Sequence, residues 1–381
     1  MKKLIWKPST VSWQIHMLIA IIAIIGLVIV ESFTMNVKQP YYKEKVMAAN
    51  YMLQGMEIIK QYRLRKIGPI NNVIDPARSG LIGVLSTPIT STTVDIDSKQ
   101  TSINPNWAAV IVSMLKEAKV KKGSTVAVSL TGSFPAMNLA VLSAAKTLNL
   151  RLIIITSLSS STWGANMPDF TWLDMEQLLY EKKFSTYKSV AASLGGVQDK
   201  GLGMSEEGKR ILRDTILKYR ITLLEYDDLK KSMNARMEIY NDMAGDTQIA
   251  AYINVGGGTV AIGSFIGKRR YRPGLNLKPS QKAMRVDSVM SRFALNKVPI
   301  ININYLKTLA QNHRFPVAQK KIPKIGEGEI YNRLEYNKIL VAVVLGVMVV
   351  LLYLFMKLGI GYRIFIPQKK SMKVRPPEHM V

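Results

Sequence analysis

Two blocks of the chain carry no charge, residues 8–30 and residues 339–356, and the first is almost purely aliphatic from Ile15 onward. Roughly 20 apolar helical residues span a bilayer core, so both blocks are expected to be transmembrane helices, at residues 15–35 and 339–356. Trp6, Trp13, Tyr353 and Tyr362 lie near their ends, where amphipathic rings prefer a membrane interface. Lys2 and Lys3 would suit a signal peptide, but Glu31-Ser32-Phe33 is a poor cleavage site, so an uncleaved anchor is expected. Lys2, Lys3 and Lys7 flank the first block and six Lys or Arg follow the second. By the positive-inside rule both termini (residues 1–14 and 357–381) should be cytoplasmic and the middle extracytoplasmic.

Between the blocks the apolar pattern changes period. Residues 41–66 have helical spacing at Val46, Leu53, Met56 and Ile59, which predicts a helical stalk within residues 36–79. From residue 80 to 338 short apolar runs alternate with amphipathic segments. Strands are expected at residues 81–85, 125–130, 151–156, 248–255 and 298–303. Helices are expected at 106–120, 135–148, 172–183, 205–219, 226–242 and 280–295. Strands alternating with helices at this spacing indicate crossover units on a mainly parallel sheet. The expected fold is therefore an α/β layered extracytoplasmic domain flanked by two transmembrane helices.

Composition narrows the chemistry. The chain has no cysteine, which removes disulfides, thiolate metal sites and cysteine nucleophiles. Lys plus Arg number 52 against 26 acids, a net charge of +26. Residues 31–338 hold 43 of the bases and 25 of the acids, so the middle alone carries +18. Such an excess favours a polyanionic partner. There are three histidines, His16, His313 and His379, widely separated. No metal-ligand spacing is present, and neither metal nor cofactor is expected.

Three stretches carry candidate chemistry. Strand residues 126–130 run into Thr131-Gly132-Ser133-Phe134-Pro135, where proline opens a helix whose amides, with the Thr131 and Ser133 hydroxyls, could hold a carboxylate or phosphate. An ordinary capped turn, with Ser133 as the cap, is the plainer reading. Gly256-Gly257-Gly258-Thr259 follows another strand; consecutive glycines permit the positive φ and close approach of an anion-binding nest. Lys268, Arg269, Arg270 and Arg272 follow as a basic loop able to meet a bound anion with charged donors. Finally, residues 159–174 offer Asp169 and Asp174 as a carboxylate pair for acid–base work, with a capped helix start as the alternative.

Taken in order, Gly80-Leu81-Ile82-Gly83, Thr101-Ser102-Ile103-Asn104-Pro105, Thr131-Gly132-Ser133-Phe134-Pro135-Ala136, Trp163-Gly164-Ala165-Asn166 and Asn254-Val255-Gly256-Gly257-Gly258-Thr259 resemble the poly-gamma-glutamate system protein family. The resemblance covers about residues 80–263. It implies an accessory membrane component of bacterial poly-γ-glutamate capsule synthesis, export or surface retention, sited in the plasma (inner) membrane. The implied partners are the acidic polymer, membrane components of the capsule synthase and the lipid bilayer; no motif supports nucleic acid. No catalytic residues come with the resemblance. The alternative is a membrane-anchored hydrolase or transferase acting on the γ-amide chain through Ser133 or through Asp169 and Asp174.

Overall fold

The computed structural model describes residues 13–263 and 265–358. The expected cytoplasmic segments, residues 1–14 and 357–381, fall almost wholly outside them. The described chain divides into two compact units, residues 38–332 and the segments that flank them on both sides.

In the flanking unit, helix α1 (Trp13–Ser32) leads into strand β1 (Thr34–Lys38), which pairs with β11 (Asn332–Tyr336) ahead of helix α14 (Lys338–Leu358). The two helices pack together closely enough that a Cβ on Gly26 would lie 2.7 Å from Val344 Cγ1. Tyr336 Oη donates to Glu31 Oε1 at 3.0 Å. Among the described residues no helix is long and apolar enough to cross a membrane. This corrects the expectation of two transmembrane helices, and the membrane localisation and two-sided topology drawn from it.

The larger unit is built on a seven-stranded sheet. Its strands are β3 (Thr125–Thr131), β4 (Arg151–Ser157), β6 (Ser189–Ser193), β7 (Thr222–Leu224), β8 (Ile249–Val255), β9 (Gly274–Asn276) and β10 (Ile300–Ile303). They lie in the order β7-β6-β4-β3-β8-β10-β9. Every pairing is parallel except β9 with β10 at one edge, so the sheet is mixed. Alternation along the strands divides the core in two. Val126, Val128, Leu130, Ile253 and Ile301 face one layer, whereas Ala127, Ile153, Tyr252 and Ile300 face the other, as a pleat of period two requires.

The first layer holds α4 (Trp107–Glu117), α5 (Pro135–Leu148), α6 (Trp172–Glu181) and α7 (Glu206–Lys218), and the second α8 (Leu229–Ala244) and α12 (Val289–Leu295). Helix α2 (Tyr42–Tyr62) belongs to the first layer and not to a stalk. Ala48, Met52, Met56 and Ile59 are buried along it, and a Cβ on Gly55 would meet Leu139 of α5 at 2.6 Å. A π-turn (Arg63–Ile67) closes it. Residues 81–85, expected as a strand, are instead a segment outside the sheets, buried over 81–83 and exposed at Val84 and Leu85. Arg63 donates to the carbonyls of Gly80 and Ile82, and Val84 N donates to Asn166 Oδ1 at 3.0 Å. The helix expected over 280–295 is two pieces, α11 (Gln281–Met284) and α12.

Smaller elements complete the rim. Strand β2 (Thr90–Thr92) pairs in parallel with β5 (Ser160–Ser161), and α3 (Ile96–Ser102) follows. Helices α9 (Thr259–Ile262) and α10 (Phe265–Arg270) follow β8, and α13 (Leu306–Asn312) follows β10.

Candidate functional site

The chain runs outward from β3 through β4, β6 and β7, then returns to place β8 on the other side of β3. Loops leaving β3 and β8 therefore diverge, and such a reversal opens a crevice at the carboxyl ends of a parallel sheet. A cavity of about 540 Å³ occupies that position, within the usual range for small-ligand sites. Thr131 and Ser157 come from the ends of β3 and β4, Gly257 and Gly258 from the turn after β8, and Asn304 from the turn after β10.

Two buried side chains that line this cavity carry polar atoms without protein partners. Thr131 is 5% exposed and Asn304 6%, yet Thr131 Oγ1 and Asn304 Nδ2 make no hydrogen bond within the protein. The Asn304 amide is oriented because its Oδ1 accepts from Tyr305 N at 2.8 Å, which leaves the Nδ2 donor unused. Buried polar groups are satisfied in most folds, so two such atoms on residues lining one cavity make it the candidate site. Lys268 supplies the charge. Its Nζ sits 5.2 Å from the Tyr305 ring centroid, a cation–π contact that holds the ammonium at the cavity wall.

Gly257 locates the point on which these donors converge. A Cβ built there would lie 3.7 Å from Lys268 Nζ and 3.9 Å from Asn304 Nδ2. The missing side chain thus leaves room for an anion between an ammonium and an amide. Gly256 does different work. It turns the chain with φ 92°, and a Cβ on it would come within 2.5 Å of Thr131 Oγ1. Gly132 likewise permits close approach, since its Cβ would fall 2.5 Å from Leu158 O. Around the donors, the hydroxyls of Ser91, Ser157, Ser159 and Thr259 give the cavity a neutral, hydrogen-bonding wall.

Asp95 also faces the cavity but is engaged. It caps α3 by accepting from Ser98 N at 3.0 Å and pairs with Lys307 at 3.0 Å. Burial pushes its carboxyl up, but Lys307 and Ser98 outweigh burial and hold it below the usual range.

One wall is a glycine-rich loop, residues 195–203, anchored by a buried ion pair. Asp199 Oδ2 accepts from Arg236 Nη2 at 2.9 Å and from Ser232 Oγ at 2.7 Å. Its Oδ1 accepts from Ser193 Oγ at 2.6 Å and from the cavity residue Ser157 at 3.5 Å. Both carboxylate oxygens thereby meet donors, which a buried charge needs.

The catalytic candidates are not assembled. Ser133 lines the cavity, but its Oγ accepts from Ser161 N at 3.0 Å. It does not cap α5 either, because the N-cap is Phe134. The amides of Met137 and Asn138 both bond to the Phe134 carbonyl. Lys99 is the amine nearest this turn, fully buried, with burial pushing its ammonium well down. It bonds to the Ser133 carbonyl and to Ser161 Oγ, the latter at 2.7 Å, and not to the Ser133 hydroxyl. Asp174 completes a capping box with Thr171 and accepts from Tyr219 Oη at 2.6 Å and Lys218 at 3.1 Å. Asp169 is exposed, and neither carboxylate lines the cavity. His313 packs its ring against Trp107 and Phe315.

Of the residues expected from sequence, Thr131, Ser133, Gly257, Gly258, Thr259 and Lys268 come together in one cavity. Arg269, Arg270 and Arg272 are exposed outside its lining, and the expected basic loop is largely helix α10. Sequence reasoning missed Asn304, Lys99 and the Asp199–Arg236 pair. Asn304 left a trace, because Ile301-Asn302-Ile303-Asn304 alternates polar with apolar at the period of a strand. Asn302 pairs in register with Asn254, and the two side chains bond at 3.0 Å.

Comparison with protein-family models, with curated proteins and with solved structures returns no match.

Proposed function

We propose that the chain is a binding protein for an anionic, carboxylate-bearing polymer. On the strength of the sequence resemblance the polymer is poly-γ-glutamate, and the role is accessory to its synthesis, export or surface retention. The observation that carries the reading is the convergence of Lys268 Nζ and Asn304 Nδ2 over Gly257, in the cavity that Thr131 also lines. A carboxylate placed there accepts from a charged donor and from a neutral amide donor otherwise left without a partner. Charge-assisted bonds of this kind contribute about 1.5–3 kcal/mol each.

The test is calorimetric titration of the full-length protein with a short γ-linked glutamate oligomer, repeated with Lys268→Gln and Asn304→Ala. The reading expects saturable binding that each substitution weakens at least tenfold. Equal binding by both variants would place the ligand elsewhere.

A further inference from the structure

The turn after β8 contains a peptide unit with a glycine on each side, Gly256 and Gly257. The unit is trans, so the Gly256 carbonyl and the Gly257 N–H point in opposite directions. Turning the unit over would reverse both and give Gly257 a positive φ, which glycine adopts readily. The glycines therefore leave the direction of this N–H to be set by a neighbour.

That neighbour is Asn254, which lies fully buried near the end of β8. Its Nδ2 donates to the Gly256 carbonyl at 2.9 Å and to Asn302 Oδ1 at 3.0 Å, so both amide hydrogens are used. Asn302 is buried opposite it, in register on β10. This orientation is kept although Asn254 Oδ1 is left buried without a partner, an arrangement that folds rarely tolerate. Rotated end for end, the amide would set that oxygen against two others, those of Gly256 and Asn302. The Gly256 N–H is engaged too, donating to the Ile303 carbonyl at 2.9 Å.

With its carbonyl partner drawn down onto Asn254, the Gly257 N–H faces away from that buried amide. It has no hydrogen-bond partner among the described residues, and Gly257 is an exposed part of the cavity lining. Lys268 Nζ and Asn304 Nδ2 lie 3.7 and 3.9 Å from where a Cβ of the same residue would be.

We propose that the Gly257 N–H is a third donor to the anion in this cavity, and that Asn254, backed by Asn302, is the positioning residue that keeps it turned that way. The inference rests on the anion-binding reading of the cavity and adds to it a backbone donor and the side chain that aims it. A carboxylate has enough lone pairs on its two oxygens to accept from an ammonium, a side-chain amide and a peptide N–H together.

The experiment uses the full-length protein labelled at its glycine nitrogens for NMR, with the Gly257 signal identified by its loss in Gly257→Ala. Titration with a γ-linked glutamate oligomer should move that signal downfield as the N–H bonds to a carboxylate. Asn254→Ala should bind the oligomer about tenfold more weakly, as expected when a charge-assisted bond is lost. Its Gly257 signal should also stay in place at saturation, a change that a merely structural role for Asn254 would not produce. Asn302→Ala frees the Asn254 amide to rotate and should weaken binding in the same direction, which tests the lock even where Asn254→Ala does not fold. A Gly257 signal that stays in place in the saturated unaltered protein, or asparagine variants that bind as tightly as it does, would overturn the inference and leave the cavity reading intact. If the unaltered protein does not bind the oligomer, the cavity reading fails and this inference falls with it.

Discussion

Glu176 provides a quantitative test of how the sheet beneath the cavity is held. It lies buried on α6 and accepts from Ser189 N at 2.7 Å and Ser189 Oγ at 3.0 Å. These bonds tie α6 to the start of β6, the strand that leads into the loop walling the cavity. Burial pushes its carboxyl up to about 7, against a smaller downward pull from the Ser189 donors. The folded protein thus binds a proton that the unfolded chain has lost between pH of about 4.5 and about 7. A group raised in this way contributes stability that is fully present at low pH and is lost as pH rises through the folded value. Each tenfold difference in proton affinity between the folded and unfolded chain is worth about 1.4 kcal/mol, so the loss comes to about 3 kcal/mol. Glu176→Gln is neutral at every pH and can keep the bond from Ser189 N, so the loss should disappear. Urea unfolding of both proteins at pH 5 and pH 8 gives the comparison, and subtracting one profile from the other cancels every other titrating group. The variant should match the unaltered protein near pH 5 and exceed it by about 3 kcal/mol at pH 8. Identical profiles, or an unaltered protein that gains on the variant as pH rises, would refute the reasoning.

Two further substitutions probe the walls of the cavity. Asp199→Ala leaves Arg236 charged and buried without its partner, and should cost about 3–5 kcal/mol in denaturant unfolding. An unchanged midpoint would mean that the pair does not anchor the loop. Ser133→Ala removes the acceptor for Ser161 N and should cost about 1–3 kcal/mol while oligomer binding survives. Loss of function with an unchanged melt would return Ser133 to consideration as a nucleophile.

The layered α/β core was legible because its central strands and first-layer helices carry strong periodic signals. Residues 135–148 read as a helix from Pro135 onward and form α5. The apolar run at residues 248–255 became β8. Strand β6, Ser-Val-Ala-Ala-Ser, was not legible, because small residues give no alternation to detect. Residues 81–85 misled for the opposite reason. They are apolar, and buried over 81–83, but Arg63 and Asn166 satisfy their backbone where a sheet ladder would have done so. At the site, glycines and hydroxyls after strand ends pointed to the correct edge of the sheet. The donors that complete it come from distant segments, and no local spacing links Asn304 to Gly257 or Asp199 to Arg236. The basic run Lys268–Arg272 was visible as charge. Its division into one cavity residue, Lys268, and the surface residues Arg269, Arg270 and Arg272 depends on where α10 and the segment after it lie, which charge alone does not reveal.

The most direct test of the cavity assignment is Gly257→Ala. Gly257 has no positive φ, and an added Cβ would sit at ordinary contact distance, 3.7 Å from Lys268 Nζ and 3.9 Å from Asn304 Nδ2. The fold therefore has no steric reason to respond, whereas the space between the two donors is filled. Thermal melting should be unchanged within the few tenths of a kcal/mol typical of mild substitutions, and titration with a γ-linked glutamate oligomer should weaken at least tenfold. Binding equal to that of the unaltered protein, with the same melt, would contradict the claim that the anion sits over Gly257.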